Sequence, residues 1–392
     1  MDLMRLKKIV YNFLTLIKSK WYFNKPIKSE YIIYDSIAKD TIKKCFQNKK
    51  FFILSSRFEE FYLFFLFKNL FSLKFKNIYL NYHISLIKFI NPKYIITFID
   101  NNISFYNLKK YFPSIKFICI QNGNRLSLGN FGDNKKQVTD LIKKKFSVDT
   151  YFVQDNFSKS FLSRYIKSNY HVIGSFKNNM VKLQKANKNK DILYISQWRN
   201  TKSVFINGKY YPYKIWNKTE IDLLKKLINY SKERKIFLNI KLTSKDKNEI
   251  KFYNSLLKNS LKAFKYIKYS ENLKKNYSIL DKYNLVVTVD STLGFESMMR
   301  GIKTVFYSTR YEDLKISKKI TPNYIGNFLK NKNNKNGFYI DLPVSNEVFY
   351  EFMDANFKSS YNNWYKRNYK NINNFLFFDY GNKKLKKILN LK

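Results

Sequence analysis

At 392 residues, 45% of them apolar, the chain is too long for one ordinary domain and too apolar to be dominated by disorder. Its 74 basic and 28 acidic residues give a formal net charge of +46, but nine of the basic residues are arginine and the lysine excess travels with Asn, Ile, Phe and Tyr, as biased codon usage would write it. Base-reading proteins lean on arginine's bidentate fork, so the charge argues against specific nucleic-acid recognition and leaves anionic lipid headgroups and nucleotide phosphates as partners.

Taken in chain order, Leu3, Leu6, Val10, Phe13, Leu14 and Ile17 share one helical face with Lys7, Lys8 and Lys18 near its edges. The pattern predicts an amphipathic helix, either packed on the first domain or lying on an anionic membrane surface. Lys18, Lys20 and Trp21 follow without a small-residue cleavage site, which speaks against a signal peptide. Apolar runs such as 61–67 are too short to span a bilayer. Strands are predicted at 31–35, 51–55, 94–99, 115–120, 149–153 and 170–173, then at 191–195, 236–242, 285–289 and 303–307. Helical patterns lie between them at 37–47, 59–71, 103–111, 157–167, 218–233, 247–258 and 293–300. Cys45 and Cys119 stand far apart in apolar surroundings and read as buried reduced thiols. His83 and His171 stand alone, so no metal-ligand spacing is present and most histidine-based catalysis is removed.

Near-continuous apolar strands alternating with helices predict an α/β chain of two Rossmann-like parallel-sheet domains. The Lys/Asn-rich stretch 177–190 is read as the linker. It separates a first domain, 1–176, from a second, 191–346. A second irregular stretch, 311–346, is expected to carry loops, and the helices of 347–392 to cross back to the first domain. Most strands end on polar residues, which would line one cleft between two facing sheets. Helix caps account for many of these residues, but not for Arg57, Arg199 and Arg310.

The most informative segment is 285–301, a buried strand, a turn, a helix and a glycine stop. Ser291 and Thr292 fall at the helix start, where free N–H groups and the helix dipole suit a phosphate. Gly294 would let a ligand approach the backbone. Glu296 is spaced wrongly for a capping box, which leaves it to hold ribose hydroxyls or to pair with Arg300.

Asp290, Ser291, Thr292, Gly294, Glu296, Arg300, Gly301 and Lys303 occur in the order of a nucleotide-binding segment. The segment resembles that of GT-B-fold bacterial surface-polysaccharide (lipopolysaccharide/O-antigen) biosynthesis glycosyltransferases, and more distantly that of capsule Kdo transferases and polysialyltransferases. Weaker echoes stand at 120–125 and 193–199. The resemblance implies a GT-B-like pair of domains facing a cleft. It implies a nucleotide-sugar donor on the second domain, a glycan or lipid-linked glycan acceptor on the first, no metal and no separate cofactor. The expected location is cytoplasmic, either free or peripheral on the inner face of the membrane through the +46 charge and the basic, amphipathic first twenty residues. Relatives that use CMP-linked acidic sugars carry a His-Pro pair where this chain reads Lys241-Leu-Thr-Ser244, so Lys241 would supply positive charge as a point charge rather than a proton donor. Ser196, Gln197 and Arg199 open the second domain, with Arg199 suited to a diphosphate or acidic sugar. Arg125, after Gln121-Asn122-Gly123, would project into the cleft. The acceptor's base should be a first-domain carboxylate, Asp100 foremost, with Asp35, Glu59 and Glu60 as substitutes. Two other readings stay open. One is a sugar-nucleotide epimerase or polyol-phosphate transferase on the same fold; the other is a non-catalytic basic protein that binds nucleic acid or membrane.

Overall fold

The computed structural model describes residues 17–390 except 18, 38, 48, 58, 72–77, 126–138, 140–142, 144–145, 185–188, 207–208, 259–262 and 316–336. The N-terminal helical pattern and most of the irregular stretch 311–346 therefore lie outside the described residues.

Two six-stranded sheets form, and every strand pairing within them is parallel. The first has the spatial order Phe51–Leu54, Tyr31–Tyr34, Tyr94–Thr97, Lys116–Ile120, Phe146–Val153, Ile166–Val172. The second runs Phe264–Ile267, Leu238–Lys241, Asn189–Ile195, Tyr283–Thr288, Lys303–Tyr307, Tyr339–Ile340. Counted along the chain, the second order is 3-2-1-4-5-6, that of a dinucleotide fold, whose ligand crevice opens where the order reverses. Here that is between the carboxyl ends of Asn189–Ile195 and Tyr283–Thr288. β-Branched and aromatic runs make these strands, and both faces must be covered because the runs are apolar throughout. Ile32, Ile95 and Phe117 point to one core of the first sheet, while Ile33, Ile96 and Ile118 point to the other.

All ten strands expected from sequence are present, and the second sheet has two more. Phe264–Ile267 and Tyr339–Ile340 are edge strands, the first interrupted by Lys265 and the second two residues long, so neither has a run to read. The helix expected at 59–71 begins at Leu63, because Glu60–Tyr62 pairs with Lys20–Tyr22 instead. A hairpin, Ser203–Ile206 with Lys209–Pro212, lies between the first strand and first long helix of the second domain.

Helices Asn346–Phe357 and Tyr361–Ile372 belong to the second domain. Phe349, Phe352, Met353, Trp364 and Ile372 enter its core. The chain returns to the first domain beyond Phe375, and helix Lys383–Ile388 sets Leu385 among Ile33, Phe98 and Phe152. The return is stitched to the stretch between the sheets. Asn179 Nδ2 donates to Asn382 Oδ1 at 3.0 Å, and Asn382 Nδ2 to the Phe176 carbonyl at 3.1 Å. Gly174, at φ +78°, would carry a Cβ 2.3 Å from the Phe377 carbonyl oxygen; Gly381, at φ +76°, faces open space. Gly174→Ala should therefore cost clearly more stability in urea denaturation than Gly381→Ala. The latter carries a backbone penalty of about 1 kcal/mol, and the former adds a collision with backbone. Equal losses would show that the crossing tolerates displacement.

Candidate functional site

A cavity of about 490 Å³ lies between the two domains. The first domain contributes Asn122, Gly123 and Arg125, and the stretch between the sheets contributes Lys177. The second contributes Lys241 to Thr243, Tyr269 to Glu271, Asn276, Tyr277, Ser291 to Leu293 and Glu296.

Helix Thr292–Met299 points its N-terminus at this cavity. Ser291 is the N-cap, its Oγ accepting from Leu293 N at 3.3 Å. Thr292 Oγ1 accepts from Asn124 N at 3.3 Å across the domain boundary. Lys241 is buried, with Nζ 3.4 Å from the carbonyls of Leu242 and Lys268. Among the described residues no carboxylate forms an ion pair with it, and burial lowers its pKa. Lys177, its ammonium 4.8 Å over the Phe98 ring, is lowered by the same cause. The helix N-terminus, Lys241, Lys177 and the Asp100-paired Arg125 thus face one hollow, whose wall also carries Glu271 and Glu296.

Several expected residues do other work. Gly294 does not line the cavity: a Cβ there would meet Thr288 Cγ2 at 2.6 Å and the Phe306 ring at 3.1 Å, so glycine lets the helix sit on its sheet. Glu296 does border the cavity, but it makes no ion pair with Arg300. Its Oε1 accepts from Ser175 Oγ at 2.5 Å, Tyr277 also bonds to it, and burial raises its pKa. Arg300 instead grips Asp281 with two bonds of 2.7 and 2.5 Å.

Ser196, Gln197 and Asp290 are absent from the cavity wall because buried partners claim them. Ser196 Oγ donates to Glu249 at 2.6 Å, and Gln197 N donates to Glu220 at 2.9 Å. Arg310 donates to Asp290 at 2.5 Å and to Gln197 Oε1 at 3.2 Å, with its guanidinium 3.7 Å over the Trp216 ring. Arg199 is exposed and also outside the wall, its backbone N donating to the Tyr213 hydroxyl at 2.7 Å.

Asp100, the carboxylate expected to act as base, is committed to hydrogen bonds in this structure. It is fully buried and accepts from Arg125 Nε and Nη2 at 2.8 and 2.6 Å, from Asn122 N at 3.1 Å and from the Tyr151 hydroxyl at 3.2 Å. Its lone pairs are taken, and its effect is to hold Arg125 at the cavity. Asp35 is likewise engaged by Ser56, Arg57 and Ile37 N, Glu59 by Ser36 and Ser55, and Glu60 by Tyr22. Sequence reasoning missed Lys177, Asn276 and Tyr277. Lys177 lay in a stretch read as linker, and the other two follow the edge strand that had no readable run.

Two Rossmann-like parallel-sheet domains, closed over a cleft with the ligand crevice of the second sheet on one side, define the GT-B class of fold. The chain belongs to the family described as "putative O-antigen biosynthesis protein", which matches residues 118–392. No curated protein sequence matches it. The fold is similar to the wall teichoic acid polymerase TagF soaked with CDPG, at 12% identity over 99% of this chain and 95% of that one, TM-score 0.53. It is similar to S. aureus MnaA with UDP, at 13% identity over 93% and 98%, TM-score 0.53. It is also similar to the Methanocaldococcus jannaschii UDP-GlcNAc 2-epimerase with UDP-GlcNAc and UDP, at 11% identity over 92% and 99%, TM-score 0.50. The chain spans 60% of the length of the pneumococcal O-GlcNAc transferase GtfA, with TM-score 0.47, a likeness too slight to carry argument.

Two outcomes test these assignments. Asp100→Asn should cost about 3–5 kcal/mol in chemical denaturation, because it leaves the Arg125 guanidinium largely buried without its counter-charge. A variant as stable as wild type, with turnover alone lost, would return Asp100 to the role of base. Glu296 has a raised folded-state pKa, so its stabilising contribution is complete below its unfolded value of 4.5 and is lost as pH rises through the folded value. Glu296→Gln keeps an acceptor and removes that dependence. The variant should gain on wild type in melting temperature as pH rises above about 4.5; a gap that does not change with pH would contradict the burial argument.

Proposed function

We propose that the protein is a glycosyltransferase that moves a sugar from a nucleotide-sugar donor to a surface-polysaccharide or lipopolysaccharide acceptor, glycan or lipid-linked glycan. The observation that carries this reading is the cavity in which the N-terminus of helix Thr292–Met299, Lys241, Lys177 and Arg125 converge. The donor's phosphates would lie against Ser291 and Thr292, with Lys241 and Lys177 offsetting the charge that grows on the leaving group. Glu296, fixed by Ser175 and Tyr277, would accept from ribose hydroxyls. Arg125, held by Asp100, would reach the sugar from the acceptor side. The acceptor hydroxyl would lose its proton to a group other than Asp100. Membership in the O-antigen biosynthesis family and the likeness to a fold seen with UDP, UDP-GlcNAc and CDPG support a nucleotide-linked donor.

The location proposed is cytoplasmic, peripheral on an anionic membrane face. Among the described residues no helix is long and apolar enough to cross a membrane, and the +46 charge favours anionic lipid.

The likeness in fold to a UDP-GlcNAc 2-epimerase supports a second reading, a sugar-nucleotide epimerase, which would need a base other than Asp100 for the proton on the epimerised carbon. Product analysis of UDP-sugars incubated without acceptor separates the two.

Titration calorimetry with CMP, UDP, GDP, ADP and CDP-glycerol should find one nucleotide that binds, and Lys241→Met should weaken it. A lost bond to a charged group is worth about 1.5–3 kcal/mol, roughly a 10- to 150-fold fall in affinity. Ser291→Ala with Thr292→Ala should weaken it further in protein shown to be folded. Unchanged affinity in both variants would remove the phosphate site from this cavity.

A further inference from the structure

Beyond the edge strand Phe51–Leu54 the first domain carries a small parallel sheet, Lys20–Tyr22 with Glu60–Tyr62, followed by helix Leu63–Phe71. Trp21 stacks on Phe61 and Tyr22 on Tyr62, with ring centroids 5.2 and 4.9 Å apart. The helix sequence, LFFLFKNLF, is apolar almost all round, the pattern of a helix buried on every side. Phe65 does enter the first core, but Phe64 and Phe67, three residues apart on one face, are 45% and 49% exposed. The loop after Tyr22 adds Phe23 and Ile27, 81% and 85% exposed, on either side of the buried Pro26. The Lys25 ammonium lies 4.9 Å from the Phe64 ring centroid, so loop and helix form one surface. Lys20, Lys25, Lys28 and Lys68 are exposed around it. Four large apolar side chains held outward within a lysine rim are not scattered surface residues.

We propose that this patch is the surface by which the protein contacts a membrane. Phe23, Ile27, Phe64 and Phe67 enter the boundary between headgroups and acyl chains, and the lysines meet anionic lipid phosphates. The inference rests on the peripheral-membrane reading above and says where on the molecule contact is made. Charge selects this occupant: a second copy would set one lysine rim against another on a chain of +46, whereas an anionic bilayer complements both the apolar centre and the basic rim. The patch lies on the domain proposed to bind the acceptor, so docking would bring that domain to a lipid-linked substrate.

The test uses the full chain and vesicles of phosphatidylcholine, alone or mixed with phosphatidylglycerol. Wild type should co-sediment with the mixed vesicles, less so at high salt. Phe23→Ser with Ile27→Ser changes two side chains that contribute little to the fold, and it should weaken partition about tenfold or more. Lys25→Gln with Lys28→Gln should weaken it less and flatten its salt dependence. Cys45 and Cys119 are buried, so an environment-sensitive dye can be placed on Asn24→Cys. It should brighten with mixed vesicles, while the same dye on Tyr210→Cys, in the exposed hairpin of the second domain, should not. Failure of wild type to bind any vesicle would sink the peripheral reading itself. Binding retained in full by Phe23→Ser with Ile27→Ser would overturn the patch and leave that reading standing. Lipid-free dimerisation abolished by the same variant would overturn it in favour of self-association.

Discussion

The arrangement of the two domains depends on one buried guanidinium. Arg300 ends the helix whose other end faces the cavity, and it is fully enclosed. Burying an arginine is costly unless every donor is satisfied. Here five bonds are made, matching its five N–H groups: two to Asp281, and one each to Asn178 Oδ1 and the carbonyls of Val181 and Lys182. Three of these partners lie in the stretch between the sheets. The same helix holds that stretch from its middle, through Glu296 to Ser175 and the Glu296 carbonyl to Asn178. A single eight-residue helix therefore fixes the path of the inter-domain chain with one end and faces the cavity with the other.

The same physics recurs at the carboxyl ends of both sheets and sorts their polar residues. Asp100 with Arg125, Asp290 with Arg310 and Asp35 with Arg57 are each a carboxylate–arginine pair at a strand end. A buried carboxylate there needs a cation and N–H donors, and an arginine fork supplies both. The pairs leave few lone pairs for a ligand. The part of the cavity wall without such a pair is the helix start at Ser291 and Thr292, with Lys241 and Lys177, neither of which forms an ion pair among the described residues. This is why a list of polar strand ends overstates the site.

Much of the fold was legible because it rests on local pattern. Ile32-Ile33, Ile95-Ile96 and Val286-Val287 are β-branched pairs within short apolar runs, which suit buried parallel strands, and Ser291 before an apolar turn announces a cap. The commitments of Asp100 were not legible, since Arg125 stands 25 residues away and Tyr151 51 away. Composition said least about burial at 177–183. Lys and Asn there read as linker, and the stretch does run between the sheets, but Asn178 and Asn179 are fully buried, because their amides complete the Arg300 cluster and the contact with the returning chain. An amide that serves a distant partner looks, in sequence, like one that serves water.

The lysine excess hides function in the same way. With 65 lysines, charge alone marks nothing, and it takes burial to tell them apart. Lys241 is 2% exposed on the last residue of an interior strand, where a solvated lysine has no reason to be. Its ammonium is largely shielded from solvent and lies 3.4 Å from two carbonyls, so the phosphate proposed for this cavity would offset its burial more than it would that of an exposed lysine. Lys20, Lys25, Lys28 and Lys68 are the opposite case. They keep their water, each adds little, and they matter as a rim around apolar side chains that do not. Depth in the fold together with a place on the cavity wall, which the buried Lys303 lacks, is what separates the lysine proposed for one phosphate from the group proposed for a charged surface.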